Sequence, residues 1–196
     1  MAELLYQGHG SYRLISSDGL VIYVDPFAGV GYDRKADMVL VTHEHHDHNA
    51  VNLVAQKPGC MVLRAGDMLV DGEYRTVAMG NVQVQAVPAY NGHHAREECV
   101  GYLITIDREL VYAAGDTSYT DYMQELKKLH IAYALFPIDG IYNMDAREAS
   151  RCAQALDARH SIPIHMKPGA LFDRAIAEEF EAEGRIILEP GQVLAL

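Results

Sequence analysis

The chain has 196 residues, 49% of them hydrophobic, and its 16 basic and 27 acidic side chains give it a formal net charge of -11. This length suits one globular domain over residues 1–196 and leaves little room for two. The acidic balance argues against nucleic acid or an anionic membrane as a partner, because no basic surplus can displace counterions, but it allows a small anionic substrate held by a metal ion.

The first half of the chain is predicted to form a series of short strands. GLVIYV (19–24) and MVLVT (38–42) are apolar throughout, which is typical of interior strands covered on both faces. VQVQAV alternates apolar and polar residues, which predicts a strand with one face in water. An apolar helix, AVNLVA (50–55), is expected after the fourth strand. The predicted strands are ELLYQ (3–7), YRLIS (12–16), LVIYVD (20–25), MVLVTH (38–43), MVLR (61–64) and VQVQAV (82–87).

The second half combines strands with amphipathic helices. YLITI (102–106) and LVYAA (110–114) are predicted to form a hairpin, and three short buried strands are expected at AYALFPI (132–138), SIPIH (161–165) and RIILEP (185–190). Helices are expected over 120–129, 145–157 and 172–183, with start signals at Ser118 and Asp145 and a stop signal at Gly184. This pattern predicts one mixed α/β domain whose sheets carry helices on their outer faces.

The cysteines and the lengths of the apolar stretches indicate the cellular compartment of the protein. Cys60, Cys99 and Cys152 are scattered and odd in number, which indicates reduced thiols rather than a disulfide framework. The beginning of the chain lacks the pattern of a signal peptide, and no stretch approaches the roughly 18 apolar residues of a membrane span. A cytoplasmic protein without a membrane partner is therefore expected.

The stretch VLVTHEHHDHNA (39–50) contains an unusual concentration of possible metal ligands directly after a buried strand. His43, His45, Asp47 and His48 follow one another in a tight turn. Imidazoles and a carboxylate are donors that a divalent ion such as zinc selects, at about 2.0–2.2 Å. Four donors from one turn cannot easily surround a single ion, so the pattern favours two adjacent ions. The alternative is a solvated histidine-rich turn.

Two later strand ends add further donors. Asp116 lies just beyond the strand in YAAGDTS (112–118), and His165 ends the strand in SIPIHMK (161–167). Sites in sheet-based folds commonly form where strands end. Either residue alone would more often be a turn aspartate or a buried histidine with a structural role. Together with the first cluster they complete a ligand set.

These motifs make the chain resemble the metallo-β-lactamase superfamily. His43, His45, Asp47 and His48 match its His-x-His-x-Asp-His signature, GDT matches the bridging carboxylate and IPIHM the last histidine. YQGHGSYRLIS and VIYVDPF are similar to its opening hairpin and to a strand that ends in aspartate. The closest likeness is to a small group of metal-dependent hydrolases that includes relatives of ascorbate-6-phosphate lactonase. The resemblance implies a four-layer αβ/βα sandwich in a single domain.

The resemblance also implies roles for individual residues. His43 and His45 would hold a first ion, and Asp47, His48 and His165 a second, with Asp116 bridging the two. Asp25 would orient the metal loop from behind, as outer partners of metal ligands do. An equally open interpretation of Asp25 is a turn-starting aspartate before Pro26.

The sequence departs from the superfamily pattern at one ligand. A third histidine for the first ion is expected shortly after VQAVP, but Tyr90 and Asn91 occupy this place and His94 follows. The first ion would then be completed by His94, by Asn91 through water, or by solvent alone. One or two ions per chain are therefore both open. Zn²⁺ is expected, with Mn²⁺ and Fe²⁺ as alternatives because a lost imidazole favours harder ions.

Two further residues are candidates for the substrate pocket. The resemblance places His9, in GHG, near the cleft, where a simple turn histidine is the alternative. Tyr142, in DGIYNMD, precedes a helix and is expected either to line the pocket or only to form the helix entry. A homo-oligomer is implied by the resemblance alone.

The expected chemistry is metal-assisted hydrolysis. Two ions about 3.5–4 Å apart would lower the pKa of a shared water, and Asp47 would orient the nucleophile and move a proton to the leaving group. The expected substrate is a small anionic metabolite containing a lactone, ester or phosphodiester. Two alternatives stay open: a nuclease like ribonuclease Z, and a metal-binding protein without turnover.

Overall fold

Fourteen short strands build the framework of the structure, a computed structural model that describes residues 1–196. In chain order the strands are β1 (Glu3–Gly8), β2 (Ser11–Ile15), β3 (Val21–Val24), β4 (Ala36–Leu40), β5 (Gln56–Leu63), β6 (Leu69–Val70), β7 (Glu73–Tyr74), β8 (Thr76–Met79), β9 (Val82–Pro88), β10 (Val100–Ile106), β11 (Glu109–Ala113), β12 (Tyr133–Pro137), β13 (His160–Ile164) and β14 (Val193–Ala195).

The helices are few and short. They are α1 (Ala65–Met68), α2 (Tyr122–Leu126), α3 (Ala146–Leu156) and α4 (Arg174–Glu179), with 3-10 helices at Val51–Leu53 and Lys127–Leu129. Helix α3 begins at Asp145, whose side chain accepts a hydrogen bond from the Glu148 backbone N–H at 2.7 Å, as the start signal predicted. None of the helices is long and apolar enough to cross a membrane.

The strands form two six-stranded sheets and a small two-stranded sheet, β6–β7. The first sheet has the order β14-β1-β2-β3-β4-β5, and the second has the order β13-β12-β11-β10-β9-β8. Each combines antiparallel hairpins with parallel pairs: β3–β4 and β4–β5 in the first, β11–β12 and β12–β13 in the second. Parallel neighbours require crossover connections, so β4 must be followed by a long segment before β5 begins. That segment carries the histidine-rich motif.

The largest core lies between the two sheets. Strand β9 shows why: Val82, Val84 and Ala86 are buried while Gln83 is exposed, which agrees with the predicted alternation. Fully burying a large apolar side chain contributes about 1.5–3 kcal/mol, so this layer supplies most of the driving force for sheet packing. Its largest members are Leu4, Tyr6, Tyr12, Leu14, Ile22, Met38, Leu40, Tyr102, Ile104, Leu135 and Ile162.

Two further apolar clusters cover the outer faces of the sheets. Outside the second sheet, α2, α3 and α4 pack on Leu103, Tyr112 and Phe136. Outside the first sheet, a smaller cluster that includes Tyr23 and Val39 is closed by residues near the 3-10 helix Val51–Leu53. The four-layer αβ/βα sandwich predicted for a single domain is confirmed, with its thinnest layer outside the first sheet.

Several predicted elements are wrong in extent or type. The apolar helix predicted at 50–55 is only the 3-10 helix Val51–Leu53, and the helix predicted at 172–183 is only α4. RIILEP forms no strand and makes a single bridge between Arg185 and Ser161. The capping box predicted from Ser118 is absent, since α2 has no side-chain cap. These segments lie at the periphery, where packing on the sheets outweighs local propensity.

Candidate metal centre

The candidate ligands gather at one edge of the sandwich, where strands from both sheets end. Asp25 follows β3, His43 follows β4, Asp116 follows β11 and His165 follows β13. Gly115 allows the two sheets to approach here: its φ is +65°, and a Cβ atom would lie 3.2 Å from Cβ of Thr42, which follows β4 of the first sheet. The strand-end position predicted from the sequence is therefore where the structure places these side chains.

The motif loop, residues 42–49, turns tightly at this edge. The His48 backbone N–H donates to His45 O at 3.0 Å, which closes the turn. His43 and His48 are buried, whereas His46 points to solvent with 90% of its side chain exposed. The loop therefore turns His43 and His48 into the molecule, and His46 takes no part in the ligand cluster.

A first group of donors consists of His43, His45 and His94, whose ligand atoms lie within 4.8 Å of one another. The ring atoms His94 Nε2 and His45 Nδ1 are 3.2 Å apart. Asn91 lies behind His94, with its Oδ1 2.9 Å from His94 Nδ1, and does not face the group directly. Of the three ways to complete the first ion, the geometry favours His94, with Asn91 as its outer partner.

A second group consists of His9, Asp47, His48 and His165, again within 4.8 Å of one another. Within this group His165 Nε2 lies 3.7 Å from Asp47 Oδ2, and His9 Nε2 lies 3.1 Å from the same oxygen. His9, which the sequence placed near the cleft, therefore contacts the candidate catalytic aspartate.

Asp116 lies between the two groups. Its Oδ2 is 3.3 Å from His94 Nε2 and 3.6 Å from His165 Nε2, and its Oδ1 is 3.4 Å from His48 Nε2. A buried carboxylate that reaches imidazoles of both groups has the position expected of a bridging ligand.

The donor atoms have the chemistry of divalent-ion ligands, and contacts within the protein leave several of them without a hydrogen-bond partner. The Nε2 atoms of His43, His48 and His165 are buried and have no hydrogen-bond partner. Buried polar atoms are nearly always paired, so three orphaned imidazole nitrogens facing one carboxylate indicate an ion site. Imidazole nitrogens and carboxylate oxygens are the donor types that zinc takes in proteins.

Two buried carboxylates hold the ligand rings from behind. Asp25 accepts from the Thr42 backbone N–H at 2.7 Å through Oδ1, and its Oδ2 lies 2.9 Å from His48 Nδ1. Asp139 Oδ2 lies 3.0 Å from His165 Nδ1. Such partners fix the tautomer and the orientation of a ligating histidine. Asp25 thus has the geometry of an outer partner as well as a turn position. The sequence prediction missed Asp139, although it follows a buried strand just as Asp25 does.

The charges of the cluster are set by burial and by mutual contacts. Burial lowers the pKa of His43 to about 2, which keeps this ring neutral and able to ligate. Burial also opposes charge on His165, but the carboxylates of Asp116, Asp139 and Asp47 outweigh it and raise the pKa of His165 to about 10. Burial would raise the pKa of Asp47, yet hydrogen bonds from His165 and His9 lower it.

His9 has acceptors on both sides of its ring. Nδ1 lies 3.0 Å from Ala170 O, and Nε2 lies 3.1 Å from the Asp47 carboxylate. Because neutral imidazole has only one N–H, the neutral ring can donate to only one of these two oxygens. The backbone is also unusual, since His9, Asp25 and His165 have φ values of 57°, 47° and 48°. Such conformations in non-glycine residues commonly occur at functional sites.

Two cavities open beside the cluster. One of about 380 Å³ adjoins the first group and is lined by Glu44, Glu97, Glu98 and small residues, with no lysine or arginine. The other, of about 240 Å³, lies over both groups and reaches Asp47, Asp116 and Tyr142. Tyr142, predicted as a pocket residue, is half exposed at the mouth of this second cavity.

The fold and the strand-end cluster together define a metal-dependent hydrolase of the metallo-β-lactamase type. The family described as the Beta-lactamase superfamily domain matches residues 3–165. A metal-dependent hydrolase of Thermococcus onnurineus is 29% identical over 230 residues and covers 100% of both chains. Another from Methanoregula boonei is 31% identical over 182 residues, covering 83% of this chain and 81% of its own. The chain therefore belongs to the metallo-β-lactamase superfamily, and the predicted family and hydrolase class are confirmed.

Solved structures agree with the fold. Igni18, a metallo hydrolase from Ignicoccus hospitalis, superposes with a TM-score of 0.76 at 22% identity and covers 98% of this chain and 97% of its own. The metallo-beta-lactamase fold protein YhfI from Bacillus subtilis gives a TM-score of 0.73 at 16% identity, over 99% of both chains. At these identities the likeness shows the shared fold. The roles predicted for the individual ligands stay predictions.

Proposed function

We propose that this hydrolase uses two divalent ions to cleave an ester-type bond in a small metabolite. His43, His45 and His94 would hold the first ion, and Asp47, His48 and His165 the second, with Asp116 bridging. The observation that carries the proposal is the position of Asp116, within 3.3–3.6 Å of imidazole nitrogens from both groups. When bound, such ions supply a water of lowered pKa and polarise the bond under attack.

Asp47 is the residue proposed to handle protons. Its carboxylate is partly exposed, with 19% of the side chain accessible, and it lines the cavity over both donor groups. His9 holds Oδ2 from the buried side at 3.1 Å, so Oδ1 is left to meet the nucleophile or the leaving group. Asp47 would orient the attacking water and pass its proton to the departing oxygen, with His9 sharing the charge.

The cavities support a small molecule as the substrate. Volumes of about 380 and 240 Å³ suit a metabolite better than a polymer. We propose a lactone, ester or phosphodiester whose anionic end lies over the ions. The half that enters the larger cavity would be uncharged, because Glu97 and Glu98 line it and no lysine or arginine does. The same acidic wall argues against a nuclease.

Zn²⁺ is the proposed metal. Three imidazoles around the first position favour zinc over harder ions, which prefer oxygen donors. The second position combines imidazoles with carboxylates, so Mn²⁺ or Fe²⁺ would compete best there. Protein that is purified with zinc bound, and that keeps the zinc when manganese or iron is added, would support this assignment.

The first experiment pairs metal content with turnover. Protein purified without added metal is analysed for zinc, manganese and iron, then assayed on a lactone, an ester and bis-nitrophenyl phosphate before and after chelation. We expect two ions per chain and an activity that chelation removes and metal restores. The Asp116→Ala variant should remain folded and lose most of its metal and turnover. Full metal content and full activity in that variant would refute the bridging role.

A further inference from the structure

A line of side-chain contacts joins the two donor groups behind the ion positions. It begins at His165, whose Nδ1 forms an ion-pair contact with Asp139 Oδ2 at 3.0 Å, and hydrogen bonds continue it from Asp139. Asn143 Nδ2 donates to the same Asp139 oxygen at 2.8 Å, and Asn91 Nδ2 donates to Asn143 Oδ1 at 3.0 Å. Asn91 Oδ1, finally, is 2.9 Å from Nδ1 of His94. The line therefore runs from a proposed ligand of the second ion to one of the first.

The direction of every bond in this line is determined by its ends. A carboxylate such as Asp139 only accepts, so Asn143 must present its NH₂ group there and its carbonyl oxygen to Asn91. Asn91 must then present its own carbonyl oxygen to the His94 ring, which accordingly carries its proton on Nδ1. That leaves His94 Nε2 as a free lone pair, 3.3 Å from Asp116 Oδ2. The two amides thus select the tautomer that can bind a metal ion.

The turn at residues 91–94 depends on these amides for its place. His94 comes from the irregular connection between β9 and β10, not from a strand end. Within the turn, Asn91 Oδ1 also accepts from the backbone N–H groups of His93 and His94, at 2.8 and 3.0 Å. Asn91 Nδ2 ties the turn to the neighbouring loop through Tyr142 O and Asn143 Oδ1, both at 3.0 Å. Without this tie, the ring would be held only by its own turn.

We propose that Asn91 and Asn143 are positioning residues that place His94 as a ligand of the first ion, using Asp139 and His165 as their anchor. The inference rests on the proposed function, because it requires two ions. Neither asparagine touches the reacting atoms. Asn91 is thus assigned to orienting His94 and not to binding metal through water.

The test is zinc binding by the metal-free chain, measured by titration calorimetry. Asn143→Ala removes the middle of the line. Asn143→Leu removes the same donor and acceptor, fills the same space and leaves Asn91 and its turn unchanged. Asn81→Ala is the matched control, because this exposed amide donates to Asp107 at the far end of the molecule, at 2.8 Å. Outer partners of metal ligands typically change metal affinity by about 10–100-fold, so both test variants should weaken the first ion by that factor.

The outcomes separate this inference from the proposed function. Two tight ions in the wild type and the control, with one tight and one weakened ion in both variants, support the positioning role. Two ions of unchanged affinity in both variants overturn it while the two-metal proposal stands. A wild type that binds fewer than two ions overturns both.

A spectroscopic readout protects the test against a general loss of stability. With Co²⁺ in place of zinc, the visible absorption of the first ion should change in both Asn143 variants, while that of the second should not. If Asn143→Ala fails to fold, Asn143→Leu still decides, because it leaves no void and preserves the bonds inside the turn. An Asn143→Leu spectrum identical to that of the wild type would contradict the positioning role.

Discussion

His94 Nε2 lies 3.3 Å from Asp116 Oδ2, although His94 comes from a loop and Asp116 from a strand end. The loop thereby supplies an imidazole to the first donor group. The superfamily pattern would take this histidine from a sequence position nearer to Pro88. The first donor group is thus complete in nitrogen ligands despite the departure at Tyr90 and Asn91. Under the proposed function, the first ion would be held as firmly as the position of this loop allows.

Replacing His94 by alanine should remove the first ion. His43, His45 and the shared carboxylate of Asp116 would remain. Because Asp116 also serves the second ion, the loss of one imidazole should leave the first ion too weakly held to survive purification. We expect zinc, measured by elemental analysis, to fall from two ions per chain to one. The control is His93→Ala, since His93 is the exposed neighbour of the same turn. Two retained ions in His94→Ala would show that solvent or Asn91 completes the site.

Replacing Asp139 by asparagine should weaken the second ion. Asparagine keeps an oxygen for the backbone N–H groups of Ile141, Tyr142 and Asn143, which now bond Asp139 Oδ1 at 2.6–3.2 Å. It removes the negative charge beside His165 Nδ1. That charge orients the ring and raises its basicity. We expect about 10–100-fold weaker zinc binding by calorimetry, with little change in thermal stability.

The opposite pattern, a large loss of stability with intact zinc affinity, would make Asp139 a purely structural residue. Asp145→Asn is a matched control, because this aspartate caps α3 and its side chain accepts from the Glu148 backbone N–H. It should leave zinc affinity at the wild-type value.

The sequence predicted most of this centre because its ligands lie at the ends of strands with clear apolar patterns. His43, Asp116 and His165 each follow such a strand, so their convergence depends only on sheet topology. Asp139 obeys the same rule but is followed by glycine, and an Asp-Gly pair is equally typical of a turn. Asn143 has no local signal, since its role arises from a contact with Asn91, 52 positions away in the chain.

The fold was predictable to a similar degree. Long apolar strands such as β4 and β12 are specified by their own composition, and they build the sheets. Segment 185–190 is apolar too, but it meets the sheet only through the Arg185–Ser161 bridge and forms no strand. β14 is too short and too exposed to carry a pattern. Whether such a segment forms a strand depends on its pairing partner, which the local sequence does not contain.

Replacing Gly10 by alanine should displace His48. A Cβ atom on Gly10 would lie 2.9 Å from His48 Cε1 and 3.7 Å from His165 Cδ2, closer to His48 than real contacts allow. His48 is held by Asp25 and cannot withdraw freely, so zinc affinity should fall while the fold persists. Gly66→Ala is the control, because nothing lies within 4 Å of its added Cβ. Equal zinc affinities in the two variants would contradict this prediction.

The stability of the metal-free protein should fall as the pH rises above neutrality. Acidic neighbours raise the pKa of His165 from 6.5 to about 10 in the folded chain. A group with a raised folded pKa stabilises the fold fully below its unfolded value, and this contribution is lost as the pH rises through the folded value. Urea unfolding of chelated protein should therefore show decreasing stability between pH 6.5 and pH 10.

Zinc should abolish this part of the pH dependence, because the ion takes the place of the proton on Nε2. His165→Gln should flatten the slope in the metal-free protein. A metal-free wild type whose stability is constant over this range would show that His165 does not hold its proton.

Removing the acidic wall of the larger cavity should change which substrates bind. Glu97 and Glu98 line it without a basic partner, whereas Glu44 is neutralised by Arg64 at 2.7 Å. In the double variant Glu97→Gln/Glu98→Gln, KM for mono-4-nitrophenyl succinate should fall about two- to tenfold, because each removed charge changes repulsion by up to about 1 kcal/mol. KM for uncharged 4-nitrophenyl acetate should stay constant, as should kcat for both esters.

High salt should reduce the difference between the two esters in the wild type, since these glutamates are exposed and screened by ions. The matched control is Glu178→Gln/Glu179→Gln, an adjacent exposed acidic pair on α4, on the outer face of the second sheet. It removes the same charge from the whole chain and should leave both KM values unchanged. If both double variants lower KM for the succinate ester equally, overall charge governs the effect and the cavity does not select an uncharged group. If neither does, Glu97 and Glu98 exert no measurable repulsion on a bound carboxylate, and the acidic wall no longer supports assigning the larger cavity to the uncharged half of the substrate.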